Sequence, residues 1–192
     1  MKKIGLTGSI GAGKSTVAEC LRKCRIPVHD ADLAVHEIYK RPEIQTWLNI
    51  TFPGAIQRGD VNRARLAEMI YADPEVRKHL ESKIHPLVRE HARTFMKTAE
   101  SFGEERVVFD IPLLFENGRD TDMDETWLVT APPEIRCARL MARTAGMTMQ
   151  KFYKIDSAQM PEAEKRARAT HVIENDGTIE ELHQKILQLI GK

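Results

Sequence analysis

The chain has 192 residues, 42% of them hydrophobic and 30% charged, and its 29 Lys and Arg nearly balance its 28 Asp and Glu. This composition predicts a folded globular protein rather than a disordered one, and the formal net charge of +1 gives no general reason to expect a nucleic-acid partner. No apolar run reaches the roughly 18 residues of a membrane span. Three cysteines do not suit a disulfide framework, so we expect a cytoplasmic protein with no membrane partner.

The start of the chain has the pattern of a strand, a glycine-rich turn and a helix. Residues 2–6 predict a short strand, and from Ser15 onward apolar side chains recur on one helix face, at Val17, Cys20, Leu21 and Cys24. Pro27 follows this helix. Residues 28–32 then predict a second strand that ends in acids.

The long stretch 33–103 has mostly helical patterns, with prolines as punctuation. Pro86 is expected to open a new helix, because the residue before a proline disfavours helical geometry and proline suits a first turn. The later elements are two buried strands, an Arg-rich helical stretch, a last strand and a closing helix, predicted at 106–110, 126–130, 133–169, 171–174 and 179–190.

Five short apolar strands separated by helices predict an α/β fold, a parallel sheet in a three-layer α/β/α arrangement. Because 33–103 is too long for one crossover, we expect it to be a helical subdomain inserted into a single domain, 1–192. The core would comprise about 1–32, 104–133 and 170–192. The Arg-rich part, about 134–169, would form a small helical lid.

Residues 8–15 match the pattern G-x-x-x-x-G-K-[ST] at every fixed position. The glycines let backbone N–H groups turn toward phosphate oxygens, and the following helix points its positive end at the same anion. Lys14 would reach the β- and γ-phosphates, and the Ser15 hydroxyl would ligate Mg²⁺. The residues expected to bind ATP here are Gly8, Gly11, Ala12, Gly13, Lys14, Ser15 and Thr16.

Two features argue against a GTPase. The chain lacks a base-reading Asn-Lys-x-Asp sequence, and Asp110 is followed by Ile111-Pro112-Leu113 rather than by a D-x-x-G switch. A small-molecule kinase must hold an acceptor opposite the γ-phosphate and exclude water from both. The insertion can bind the acceptor, and the lid can supply positive charge through Arg136, Arg139 and Arg143. Arginines on one helix face are, however, usually solvated.

Carboxylates follow two of the predicted strands, at the edge where open α/β sheets bind ligands. In an extended backbone Asp30 and Asp32 would point to opposite sides, so at most one faces the site. We choose Asp32 as general base or orienter of an acceptor hydroxyl. Asp110 has the position of a Walker-B-like acid near Mg²⁺. The alternative for these acids is to cap a helix or a strand end.

The order of these motifs resembles the dephospho-coenzyme A kinase family over nearly the whole chain, from Ile4 to about Leu189. The phosphate loop is shared by many proteins, but Asp-Ala-Asp at 30–32, His-Pro at 85–86 and Pro-Leu-Leu-Phe-Glu at 112–116 form a far more specific combination. The further matching positions are Gly59, Arg63, Leu66, Arg139, Arg143, Gln159-Met160 and Asn175-Asp176-Gly177.

The resemblance implies ATP-dependent phosphorylation of the ribose 3′-hydroxyl of dephospho-coenzyme A, the last step of coenzyme A synthesis, with Mg²⁺ as cofactor. ATP and dephospho-coenzyme A would be the small-molecule partners. Asp32, Lys14 and Arg143 are the implied catalytic residues. Arg139 and Asn175 are implied on the ATP side. The acceptor would be bound by Asp32, Arg63, His85 and Asp110.

Two other functions stay open at this point. Another P-loop kinase could act on a nucleoside monophosphate or a sugar acid, and Arg63 and Arg65 are candidates for binding a monophosphate. A non-catalytic, nucleotide-dependent switch would bind nucleotide without turnover. The sequence predicts no particular oligomeric state.

Overall fold

The computed structural model describes residues 1–57 and 59–191, and its helices and strands alternate along most of the chain. In chain order they are β1 (Lys2–Gly8), α1 (Lys14–Lys23), β2 (Val28–Asp30), α2 (Ala31–Tyr39), α3 (Pro42–Thr51), β3 (Ile56–Gln57), β4 (Asp60–Val61), α4 (Arg63–Ala72), α5 (Pro74–Ser101), β5 (Arg106–Asp110), a 3₁₀ turn (Arg119–Asp122), β6 (Glu125–Thr130), α6 (Pro133–Arg143), α7 (Met149–Asp156), α8 (Glu162–Arg168), β7 (His171–Glu174) and α9 (Ile179–Ile190). The chain divides into two compact units, Met1–His29 with Ala99–Lys192, and Asp30–Thr98.

The first unit is built on a five-stranded sheet of order β2-β5-β1-β6-β7. Strand β1 pairs in parallel with β5 and β6, and β6 pairs in parallel with β7. The predicted α/β fold with a parallel sheet is confirmed. Because β1 is the central strand, the loop that follows it leaves the middle of the sheet's carboxyl edge, where such sheets bind ligands.

The core of this unit explains why its strands read as continuous apolar runs. Side chains of β1, β6 and β7 pack with α1 and α9, and among the buried ones are Leu6, Leu21, Trp127, Ile173 and Ile186. Strands of a parallel sheet are covered on both faces, so they do not alternate apolar and polar residues. Burying each such side chain stabilises the fold by about 1.5–3 kcal/mol.

The second unit has a core of its own, formed by helices α2 to α5 and a small hairpin. Its buried side chains are Ile38, Ile44, Leu48, Phe52, Ala55, Leu66, Leu80 and Ile84. Strands β3 and β4 pair antiparallel in the register Ile56↔Val61. The sequence did not predict this hairpin, since two-residue strands are too short to show a period-2 pattern.

The expectation that Pro86 opens a new helix is wrong, because α5 runs through it without a break. Proline removes one backbone N–H from the helix and disfavours helical geometry in the residue before it. Here Ile84 on one side is buried, and Leu87 and Val88 on the other pack against the same core. Both halves of the helix are therefore held by one apolar cluster, which offsets the local cost of the proline.

The second strand is shorter than predicted and ends at Asp30, so α2 starts where the sequence suggested extended chain. Asp30 is the N-cap residue of α2, and its Oδ1 accepts a hydrogen bond of 2.9 Å from the Leu33 N–H. The capping alternative therefore holds for Asp30. Asp32 lies in the first helical turn with an exposed side chain, so the extended geometry assumed for this pair is wrong.

We predict that Pro86→Ala stabilises the protein by about 1–2 kcal/mol, because alanine restores an N–H to α5 and is the best helix former. Urea unfolding followed by circular dichroism measures the change. Glu90→Ala, at an exposed position of the same helix, is the control and should change stability by less than about 0.5 kcal/mol. Destabilisation by Pro86→Ala would contradict a continuous α5.

Candidate active site

The loop between β1 and α1 has the conformation that its glycines suggested. Gly11 and Gly13 have φ angles of 79° and 93°, in the left-handed region that a side chain disfavours. A Cβ at Gly11 would lie 2.6 Å from the Arg136 carbonyl oxygen, and one at Gly13 would overlap the Asn175 Nδ2. At Gly8 a Cβ would lie 2.6 Å from the Val129 carbonyl oxygen on β6. All three glycines are therefore required sterically.

The start of α1 is suited to binding an anion. Its N-cap residue is Gly13, which has no side chain to cap the first N–H groups, and the first turn contains no acid. Ser15 is exposed in this turn, and Thr16 is half-buried. Free N–H groups and the positive end of the helix dipole together favour phosphate at this position.

Lys14 and Asp110 form an ion pair at the carboxyl edge of the sheet. The Lys14 Nζ donates to the Asp110 Oδ1, and the two side chains are 19% and 6% exposed. Asp110 is the last residue of β5 and lies in register with Leu6 on β1, two residues before Gly8. The register of two adjacent strands thus brings the loop lysine and this carboxylate together. Low exposure strengthens their attraction relative to a surface pair.

Two further predicted residues lie against the loop. The Asn175 Nδ2 donates to the Ala12 carbonyl oxygen at 2.7 Å, and its backbone N–H donates to the Thr130 carbonyl at 2.7 Å. Arg139, from α6, donates through Nη1 to the Asn175 carbonyl at 2.9 Å. Asn175 therefore supports the loop backbone from the end of β7, and Arg139 is joined to the loop through it.

The other two arginines of α6 differ from each other. Arg143 is exposed at the last residue of the helix, one turn beyond Arg139. Arg136 is only 2% exposed, and it donates to the carbonyls of Ala131 and Ile10 and to the Asp156 carboxylate. The idea that Arg136 supplies charge to a transferring phosphoryl group from an open lid is therefore wrong, because its donors are used inside the fold.

In the second unit, α2 and α4 bring a small polar group together. Asp32 and His36 are four residues apart on α2 and so share a helix face. The Arg63 Nη2, from the first residue of α4, contacts the His36 Nδ1. Burial raises the pKa of the Tyr39 hydroxyl, and the charge of Arg63 acts in the opposite direction. His85 is exposed on another helix, α5.

The residues that could hold a divalent metal are few. Among the described residues, no three His, Cys, Asp or Glu side chains gather into a metal site. At the edge that carries the loop, the Ser15 hydroxyl and the Asp110 carboxylate could each supply an oxygen ligand. Such hard oxygen donors fit Mg²⁺, which is usually held by one or two protein groups together with substrate phosphates and water.

Sequence reasoning gave no role to Gln159 or Glu116, although both lie in motifs that the family resemblance includes. The Gln159 Oε1 accepts a hydrogen bond of 3.1 Å from the Ile10 N–H, inside the phosphate loop. The Glu116 Oε1 accepts one of 3.1 Å from the Met160 N–H. These contacts join residues far apart in the chain, and no spacing rule predicts them.

The sheet order, the phosphate loop and its lysine define a P-loop kinase. Residues 2–181 match the family model of dephospho-CoA kinase. The chain belongs to this family, so it is a kinase with a hydroxyl acceptor that uses ATP and phosphorylates dephospho-coenzyme A to coenzyme A. Among the described residues, no helix has the length and apolar character needed to cross a bilayer.

Individual relatives agree with this family membership. A dephospho-CoA kinase from Brucella melitensis is 41% identical over 97% of this chain and 92% of its own length. A crystal structure of the protein TT1252 from Thermus thermophilus is 40% identical, with a TM-score of 0.84 over 99% of this chain and 96% of its own. The dephospho-CoA kinase from Campylobacter jejuni, 22% identical, has a TM-score of 0.73 over 98% and 95% of the two chains and supports the fold.

We predict that Gly13→Ala weakens ATP binding about tenfold or more, because the methyl group displaces Asn175 and disturbs N–H groups that bind charged oxygens. Isothermal titration calorimetry with ATP and Mg²⁺ measures this. Gly103→Ala is a matched control, since Gly103 also has a positive φ, of 72°, but nothing lies within 4 Å of its Cβ position. Equal ATP affinity in the two variants would contradict the steric requirement at Gly13.

Proposed function

We propose that the phosphate loop holds ATP with Mg²⁺ and that Lys14, Asp32 and Arg143 carry out phosphoryl transfer to the ribose 3′-hydroxyl of dephospho-coenzyme A. The observation that carries this proposal is the phosphate loop itself, with Lys14 held beside Asp110 at the carboxyl edge of the sheet. In this proposal the core binds the nucleotide. The acceptor subdomain, at about 33–103, binds dephospho-coenzyme A, and the lid, at about 134–169, excludes water.

On the nucleotide side, the N–H groups of the loop, with Gly8, Gly11 and Ala12 shaping its backbone, bind the β- and γ-phosphates. Ser15 and Thr16 would contribute hydroxyl groups, and Ser15 would ligate the metal. Lys14 keeps Asp110 as a partner while its charge meets the phosphates, so the carboxylate fixes the direction of the lysine. Bound Mg²⁺ would supply positive charge that offsets the negative charge on the phosphate oxygens.

Two arginines of the lid complete this side. Arg139 is joined to the loop through the Asn175 carbonyl. This hydrogen bond supports a position beside the phosphates for Arg139 and for Asn175. Arg143 follows one turn later on the same helix face and is exposed, so its guanidinium is free to turn toward the transferring phosphoryl group. Fixed positive charge at the phosphoryl oxygens stabilises the transition state more than the ground state.

On the acceptor side, Asp32 accepts or orients the proton of the ribose 3′-hydroxyl. Its exposed position in the first turn of α2, on the same face as His36, supports access to a substrate. Arg63, which contacts His36, is proposed to bind the phosphates of dephospho-coenzyme A. His85 and Asp110 are the further acceptor-side residues of this proposal.

The family match favours dephospho-coenzyme A over a nucleoside monophosphate or a sugar acid as acceptor, and a kinase over a non-catalytic switch. We also propose that the protein is cytoplasmic and acts without a nucleic-acid partner. Support comes from the three cysteines, which are sparse and odd in number and so suit a reducing compartment, and from the nearly balanced charge.

We predict that phosphate transfer from ATP is fast with dephospho-coenzyme A and weak with AMP or gluconate. Lys14→Ala should lower kcat/KM by about 100-fold or more, because charge stabilisation at the phosphates is lost. Lys23→Ala, which removes an exposed lysine from the same helix, is the matched control and should keep normal activity. Faster turnover with AMP or gluconate, or near-normal activity of Lys14→Ala, would refute the assignment.

We predict that Asp32→Asn slows kcat about 100-fold or more, as expected for loss of a general base or orienter. The Kd for ATP should stay within about twofold, because Asp32 is proposed to act on the acceptor. Steady-state enzyme assays measure kcat, and isothermal titration calorimetry measures the Kd for ATP. Glu37→Gln, at an exposed acid of the same helix, should leave both unchanged. A loss of ATP affinity with the rate preserved would make Asp32 structural.

A further inference from the structure

Both backbone polar groups of one phosphate-loop residue, Ile10, are held by side chains from a distant part of the chain. Its N–H donates to the Gln159 Oε1 at 3.1 Å, and its carbonyl oxygen accepts from the Arg136 Nη1 at 3.2 Å. Ile10 lies between Gly8 and Gly11, and glycine permits backbone conformations that other residues rarely adopt. Two hydrogen bonds on one residue fix the planes of both peptide groups that flank it.

Arg136 is itself rigid. Its Nε donates to the Ala131 carbonyl at 3.0 Å, and its two terminal nitrogens donate to the Asp156 carboxylate at 2.5 and 3.1 Å. The guanidinium also lies 5.3 Å from the centre of the Phe152 ring. A buried, bidentate arginine with an aromatic ring against it has almost no freedom to rotate, so it holds the Ile10 carbonyl from a fixed point.

Gln159 is fixed through the next residue. The Met160 N–H donates to the Glu116 Oε1, which also lies 3.0 Å from the Nζ of Lys165 on α8. Lys165 is fully buried, and the Glu116 side chain is 18% exposed. Separating a buried pair of this kind would leave an uncompensated charge, which costs several kcal/mol. The backbone at Gln159 and Met160 is therefore anchored to the segment after β5.

We propose that Gln159 and Arg136 are positioning residues that clamp Ile10 and hold the phosphate loop in its ATP-binding shape. The inference rests on the proposed binding of ATP at this loop. Gln159 acts through the loop backbone, because its oxygen accepts from Ile10. Without the clamp the loop samples other conformations, and ATP must then order it on binding, which lowers affinity.

Gln159→Met tests the clamp, because methionine has a similar length but lacks a strong hydrogen-bond acceptor. Gln159 is half-buried rather than enclosed, so the variant should fold. We expect the Kd and the KM for ATP to rise about three- to tenfold, the loss expected for one hydrogen bond. The KM for dephospho-coenzyme A and kcat should stay within about twofold, since both describe the enzyme with ATP already bound, when the nucleotide has ordered the loop.

Hydrogen exchange of the nucleotide-free enzyme gives a second, direct readout. The Ile10 amide should exchange about three- to tenfold faster in Gln159→Met than in the wild type, because its acceptor is gone. Gln150→Met is the matched control, since Gln150 is an exposed glutamine on α7 of the same stretch. It should behave as the wild type in both experiments.

The outcomes separate the clamp from the proposed function. If the wild type neither binds ATP nor phosphorylates dephospho-coenzyme A, the proposed function fails, and the exchange rate of Ile10 still tests the clamp. If Gln159→Met matches Gln150→Met in ATP affinity and in exchange, the clamp is refuted. A fall in kcat with a lower melting temperature and an unchanged KM for ATP would likewise refute it, because that pattern indicates a merely structural glutamine.

Discussion

The phosphate loop must turn its N–H groups toward an anion, and this requires that its carbonyl groups have partners on the other side. In this structure the carbonyl of Ile10 accepts from Arg136 and that of Ala12 accepts from Asn175. Left-handed φ angles at Gly11 and Gly13 make this direction of the peptides possible. Much of the first unit can be understood from this constraint, since α6 and the end of β7 both contribute side chains that satisfy it.

The same constraint decides how charge is arranged around the loop. A lysine beside several N–H groups creates a strongly positive site, and the Asp110 carboxylate on the neighbouring strand balances it. Asp110 stands at the end of β5, in register with β1. A strand of the sheet, rather than a mobile loop, therefore holds the acid of this pair in place. Preorganised charge of this kind avoids the reorganisation that water would need during phosphoryl transfer.

The sequence predicted the parts of the structure that depend on local pattern. The strands, the glycines of the loop and the closing helix follow from periodicity and from backbone geometry, and the structure has them. The structure around Pro86 and Asp30 was harder to predict. At Pro86, a shared apolar cluster keeps α5 helical on both sides of the proline. At Asp30, the capping hydrogen bond starts α2 earlier than the sequence indicated. Gln159 had no local signal at all, since its partner Ile10 is 149 positions away.

The segment from Asp110 to Glu116 shows why a family motif can be specific without each residue touching a substrate. Asp110 pairs with Lys14, and the Pro112 carbonyl accepts from the Thr7 hydroxyl at 3.0 Å. Leu114 fills space that a Cβ at Gly5 would enter at 2.9 Å. Glu116 then anchors the backbone next to Gln159. This segment therefore packs against β1 at one end and holds the backbone next to Gln159 at the other. Its sequence is therefore constrained by loop geometry as much as by chemistry.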